Sequence, residues 1–145
     1  MLSQYSYPII CSERFKQTVA FYEDHLGFIP DFEMKNFVIL KRNDWDGMYI
    51  AVIDSNHEAL PAEYKRPVQG MLLNYPVESV VKFYDYAYHE GLKLLSEPTD
   101  VACGRKHFYI EDPNGILIDI AENIDIKQML TPENCENIVY MNQAS

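Results

Sequence analysis

At 145 residues, 48% hydrophobic and 23% charged, the chain fits one soluble domain that can bury roughly two-thirds of its unfolded surface. Its net charge of −10, from 22 acidic against 12 basic residues, is the reverse of a nucleic-acid binder's, and no Lys/Arg cluster offsets it. No apolar run reaches membrane-span length, the first residues lack the layout of a secretion signal, and Cys11, Cys103 and Cys135 have no paired spacing, so a cytoplasmic protein without a disulfide framework, zinc knuckle or membrane partner is expected.

Gln4–Cys11 predicts a short strand, which Pro8 confines to a sheet edge or an early position. Ser12 is the expected N-cap of the next helix, with Glu13 in its first turn. Phe15, Val19, Phe21, Tyr22 and Leu26 then recur near helical spacing, and Gly27 closes the helix. Phe28–Met34, Asn36–Arg42 and Met48–Ile53 read as three strands, broken by Lys35-Asn36 and by Asn43-Asp44-Trp45-Asp46-Gly47, both good turn chemistry.

Asp54–Pro67 is polar, lacks periodicity and reads as a connecting loop. Val68–Tyr75 is the next strand, ended by Pro76. Val77–Glu90 predicts a helix with Val77, Val80, Val81, Tyr84 and Ala87 or Tyr88 on its apolar face, capped by Gly91. Leu92–Leu95 follows as a strand and Ser96–Gly104 as a loop containing Pro98.

Lys106–Ile110 and Ile116–Ala121 flank Asp112-Pro113-Asn114-Gly115 and predict a hairpin, since Pro113 presets φ and Asn-Gly tolerates positive φ. Strand alternation puts Leu117, Asp119 and Ala121 on one side and Ile116, Ile118 and Ile120 on the other. A carboxylate in that apolar run wants a partner, a metal or a wet cavity; its plainest reading is a solvent-facing carboxylate on an edge strand. In the tail, Thr131-Pro132-Glu133 predicts the start of a short helix running to about Tyr140.

Both halves therefore read strand, helix, strand, strand, strand. Phe21-Tyr22…Leu26-Gly27-Phe28 echoes Phe83-Tyr84…Glu90-Gly91-Leu92, with the tyrosines 62 apart and the glycines 64 apart, which marks an internal duplication. A single α+β domain follows: module one about 4–54, connecting loop 55–67, module two about 68–122 and a helical tail 123–145.

Ala20-Phe21-Tyr22-Glu23-Asp24-His25-Leu26-Gly27-Phe28, together with Gly104-Arg105-Lys106-His107-Phe108 leading into Asp112-Pro113-Asn114-Gly115, resembles the vicinal-oxygen-chelate superfamily. That superfamily groups glyoxalases, extradiol dioxygenases and bleomycin-resistance proteins, and the resemblance covers roughly residues 5–122. It implies two tandem βαβββ modules forming a curved open sheet around a cleft. It also implies His, Gln or Glu ligands to a divalent metal, at positions that here hold Tyr7, Leu72 and Asp119. The remaining position falls on Met48–Ile53, which has no such residue. Only Asp119 could coordinate, and a catalytic metal needs about three protein ligands. Of the four histidines, His25 and His89 lie near helix ends and His57 in the connecting loop. His107 alone lies on a strand, facing either the cleft or solvent.

The resemblance is thus closest to the bleomycin-resistance-like group: no cofactor, a small-molecule ligand that is cationic or aromatic, and a homodimer. The chain's 11 Tyr, 7 Phe and one Trp suit stacking and cation–π contacts. The expected ligand-binding residues are Tyr5, Tyr7, Phe32, Phe37, Tyr49, Asn74, His107, Phe108 and Asp119, with Trp45 as a lip; core packing is the alternative role for each. Two other functions stay open. One is a divalent-metal-dependent lyase or dioxygenase with a reduced or displaced site, using Asp119 with His107, Glu122 or Tyr7. The other is a non-catalytic interaction module.

Overall fold

The computed structural model describes residues 5–100 and 105–122. In chain order its elements are β1 (Ile9–Ser12), α1 (Phe15–His25), β2 (Phe28–Met34), β3 (Phe37–Arg42), β4 (Tyr49–Asp54), β5 (Leu72–Val77), α2 (Val80–His89), β6 (Lys93–Leu94), β7 (Thr99–Asp100), β8 (Lys106–Glu111) and β9 (Leu117–Glu122), with a 3-10 turn at Ala62–Tyr64. The fold is α+β and is built of two tandem βαβββ modules. One sheet has the order β1-β4-β3-β2 and the other β5-β9-β8-β6, with β7 added beside β8. In each, the first strand runs parallel to the last and the remaining pairs are antiparallel. The duplication seen in sequence is thus a duplication of topology. Among the described residues, no helix is long and apolar enough to cross a membrane.

The chain divides into two compact units: one through Met71 together with Asp112–Ile116, the other Leu72–Glu111 and the chain from Leu117. In the first unit α1 packs on β4 and β2. Ile10, Val38, Leu40, Ile50 and Val52 are at most 2% exposed, as are Tyr22, Leu26 and Phe28. Tyr22 meets Phe28 edge-on with ring centroids 5.8 Å apart. Burying each large aliphatic side chain of this kind contributes about 1.5–3 kcal/mol. Asn36 makes the β2–β3 turn at φ 60, a left-handed conformation that Asn adopts more readily than most residues.

In the second unit α2 packs on β6, β8 and β9. Val80 and Ala87 are fully buried, and Phe83 and Tyr84 lie between them in the same stripe. Phe108, Ile110, Ile118 and Ile120 form the sheet side of this core. Tyr84 meets Phe108 edge-on at 5.2 Å, and Phe83 lies 6.2 Å from it.

Several boundaries differ from the sequence expectation. The first strand begins at Ile9, after Pro8, and extends to Ser12. Ser12 is therefore not the cap of α1; Arg14 holds that position with no side-chain bond, and no acidic residue lies in the first turn. Ser12 Oγ still accepts the Arg14 N–H at 2.9 Å. Val68–Met71 lies outside any strand, and Pro76 does not end β5, which runs on through Val77. The order β5-β9-β8-β6 makes β5 an edge, where a residue without an N–H costs no ladder bond. Val77 consequently belongs to β5, and α2 starts after Ser79, whose side chain accepts the Lys82 N–H at 3.3 Å. Val81 and Tyr88 are 58% and 67% exposed, so they are off the apolar face and Phe83 is on it. Within Ser96–Gly104, Thr99–Asp100 forms the short strand β7. The predicted tail helix lies outside the described residues.

Candidate functional site

Among the described residues each sheet has one face under its helix and one face without a helix, and strand register assigns residues to them. On β8, Phe108 and Ile110 lie in the α2 core, so alternation places His107, Tyr109 and Glu111 on the other face. Asp119 pairs across the ladders with both Asn74 and Tyr109, and Leu72 pairs with Leu117. The helix-free face of the second sheet thus gathers His107, Tyr109, Asp119 and Asn74, with exposed Leu72 at its edge.

His107 and Asp119 make an ion-pair geometry: Nδ1 lies 2.9 Å from Oδ1, with side chains 16% and 21% exposed. In the tautomer with the proton on Nδ1, the ring donates to Asp119 and leaves Nε2 as an acceptor. Tyr109 sits edge-on to the imidazole at 5.1 Å. Asp119 is therefore half-buried and paired rather than a solvent-facing carboxylate on an edge strand, because β9 lies between β5 and β8. Tyr109 was absent from the sequence expectation, although the period of two from His107 points to it. At the entry to β8, the Nε of Arg105 is buried with no hydrogen-bond partner among the described residues.

Phe108 is corrected: it is fully buried on the helix side, opposite His107, and packs on Phe83 and Tyr84. The other expected aromatics belong to the first unit. Register puts Tyr49, Phe37 and Phe32 on the helix-free face of the first sheet, beside Lys41, Ile39 and Ile53. Tyr5 stacks on Tyr49 at 5.3 Å and 19°, Tyr7 precedes β1 half-buried, and Phe32 is 44% exposed. Trp45 lies over the guanidinium of Arg42 at 5.3 Å. The remaining histidines serve local structure: His57 Nδ1 accepts the Ala59 N–H, His89 pairs with Asp85, and His25 contacts Phe21.

The Asp112-Pro113-Asn114-Gly115 turn is more than a reversal. Asp112, 4% exposed, accepts from Tyr22 Oη at 2.9 Å, from the Asn114 side chain at 3.0 Å, and from the backbone N–H groups of Asn114 and Ile116 at 2.7 and 2.9 Å. Asn114 continues the network to Thr18 and Ser12. Burial first, then the Asp112 charge, pushes the Tyr22 phenol far above its ordinary value, so it stays a donor. These residues lock β1 and α1 to the turn and leave no open polar group for a ligand.

Among the described residues the family's ligand positions do not supply a three-ligand site for a divalent ion. Among the described residues no three His, Cys, Asp or Glu come together, and Leu72 has no donor atom.

A family model described as the Glyoxalase/Bleomycin resistance protein/Dioxygenase superfamily matches residues 5–120. No curated protein matches the sequence. Among solved structures, a member of that superfamily from Sphaerobacter thermophilus is 16% identical over 84% of this chain and 98% of its own, with a TM-score of 0.68. An integron cassette protein of Vibrio cholerae is 19% identical over 86% and 98%, with a TM-score of 0.66. The bleomycin resistance determinant encoded on transposon Tn5 is 23% identical over 83% and 98%, with a TM-score of 0.59. At such identities the likeness is one of fold.

Proposed function

We propose, from the premise that this chain belongs to the glyoxalase/bleomycin resistance protein/dioxygenase superfamily, that it is a metal-independent protein binding a small molecule on the helix-free face of its second sheet. The observation that carries this reading is the half-buried His107–Asp119 pair flanked by Tyr109 and Asn74. A carboxylate held by one imidazole keeps its second oxygen for a cation. The phenol ring offers a face or edge to a planar group, and exposed Leu72 adds apolar area. A cationic aromatic ligand answers all of these, and the protein's net charge of −10 favours its approach. We also propose a homodimer, checked by light scattering.

The test is calorimetric titration with bleomycin, the drug in the neighbour's name, and with simple aromatic amines, in EDTA. Saturable binding that Asp119→Asn weakens about tenfold supports the reading. The geometry also favours one alternative, since His107 and Asp119 are two protein donors held together. An enzyme with a reduced metal site would bind a divalent ion stoichiometrically, lose it in Asp119→Ala and need it for ligand binding. Binding abolished by EDTA and restored by manganese or zinc would sink the metal-independent function.

A further inference from the structure

The first unit carries a recess that the proposed ligand does not use. β1 is an edge strand, and the connecting segment is tied to that edge. The Val68 N–H donates to Cys11 O at 2.9 Å, and the Cys11 thiol reaches Tyr64 O at 3.9 Å. Between edge and segment lies a recess of about 470 Å³, lined by Ile9, Cys11, Tyr64, Arg66, Pro67 and Val68 among others. That volume falls within the range of small-molecule sites.

Its walls have two characters. Ile9 and Tyr64 are 50% and 61% exposed, so large apolar surfaces stand in water around it. The Tyr64 backbone is fixed by the 3-10 turn, its N–H bonded to Pro61 O at 2.9 Å. Arg66 supplies a guanidinium that makes no ion pair among the described residues, in a chain with 22 carboxylate side chains. Burial raises the Cys11 thiol above its ordinary value, which makes it a bystander and a reporter rather than a nucleophile. A phenol ring beside a guanidinium with no ion pair among the described residues suits a flat ring that bears a carboxylate. The ring would stack on Tyr64 and Ile9, and the carboxylate would take the fork of Arg66.

We propose that this recess binds a small aromatic carboxylate, at a site built entirely by the first unit. The probe is 2-naphthoate, followed by calorimetry and by the rate at which iodoacetamide alkylates Cys11, read at that peptide by mass spectrometry. The expected result is saturable one-to-one binding that slows Cys11 alkylation. Affinity falls about tenfold in Arg66→Ala, in Arg66→Gln and for naphthalene-2-carboxamide on the unmodified protein, because each removes the charge pair. Asp119→Asn leaves it unchanged, which separates this site from the His107–Asp119 face. No saturable binding, affinity indifferent to Arg66 and to the probe's charge, or Cys11 alkylation at its unliganded rate would each overturn the proposal. Loss of naphthoate binding in Asp119→Asn would overturn it too, by moving the ligand to the other face.

Discussion

A carboxylate that is 4% exposed and accepts from Tyr22, from Asn114 and from two backbone N–H groups takes a shared acceptor from all of those donors when it is removed. Asp112→Ala is therefore expected to destabilise the protein by about 3 kcal/mol or more, and Tyr22→Phe by about 1.5–3 kcal/mol. Urea unfolding checks both; a loss under about 0.5 kcal/mol for Asp112→Ala would mean that water replaces the network without cost. Buried Arg42 and exposed Asp44 give a contrasting case. The hydrogen bond from Arg42 at 2.6 Å, opposed by partial burial, holds the Asp44 carboxyl below its ordinary value. A lowered folded pKa stabilises above the unfolded value and ceases to do so as pH falls through the folded one. Asp44 is 68% exposed, so solvent screening limits the contribution to about 1 kcal/mol or less. Asp44→Asn should lie below the unmodified protein by that margin at pH 7, and the gap should close as pH falls through the folded value of the Asp44 carboxyl. A gap that widened on acidification would assign the effect to another group.

At the scale of elements, the sequence was most legible where period and turn chemistry agreed. β2, β3, β4 and the β8–β9 hairpin lie where alternation and the Lys35-Asn36 and Asp112–Gly115 turns put them. Pro76 misled, because proline breaks a central strand but not an edge: it sits inside β5, whereas Pro30, inside edge strand β2 beside a bulge, lies within the expected strand Phe28–Met34. The helix face of α2 was misjudged by one residue step. Val80 and Val81 are the same residue type, and only the packed structure shows which one is buried. Val80→Ala is accordingly expected to cost about 2 kcal/mol and Val81→Ala no more than about 0.5 kcal/mol, read as shifts in thermal midpoint. Equal costs would return Val81 to the core. For the site, Asp119 was legible as a charge out of place in an apolar run, and alternation could have added Tyr109. The His107–Asp119 contact joins residues twelve apart on two strands, and only the hairpin register brings them together. Phe108 was misread because an aromatic on a strand carries no sign of which face it takes. Tyr64 and Arg66 escaped notice because their segment has no period to read.

At the scale of the whole molecule, the balance of 22 acidic against 12 basic residues sets a field that any charged ligand must enter. Part of that charge is crowded enough to titrate abnormally: burial, with Glu33 and Asp24 nearby, pushes Glu23 above its ordinary value. The field has a range, about 10 Å at 0.1 M salt and about 3 Å at 1 M, whereas a contact between Asp119 and a bound cation is local and partly shielded from solvent. The two contributions therefore separate with ionic strength. For a monocationic aromatic amine, raising salt from about 0.02 to about 0.5 M should slow association severalfold while changing the dissociation rate little. For Asp119→Asn the dissociation rate should rise and the salt dependence of association persist, because the rest of the field remains. A neutral isostere of the amine should show neither effect. Stopped-flow kinetics on the three combinations decides the matter. If association of the cation is indifferent to salt, the acidity of this chain serves its solubility alone, and binding, where found, rests on the sheet face itself.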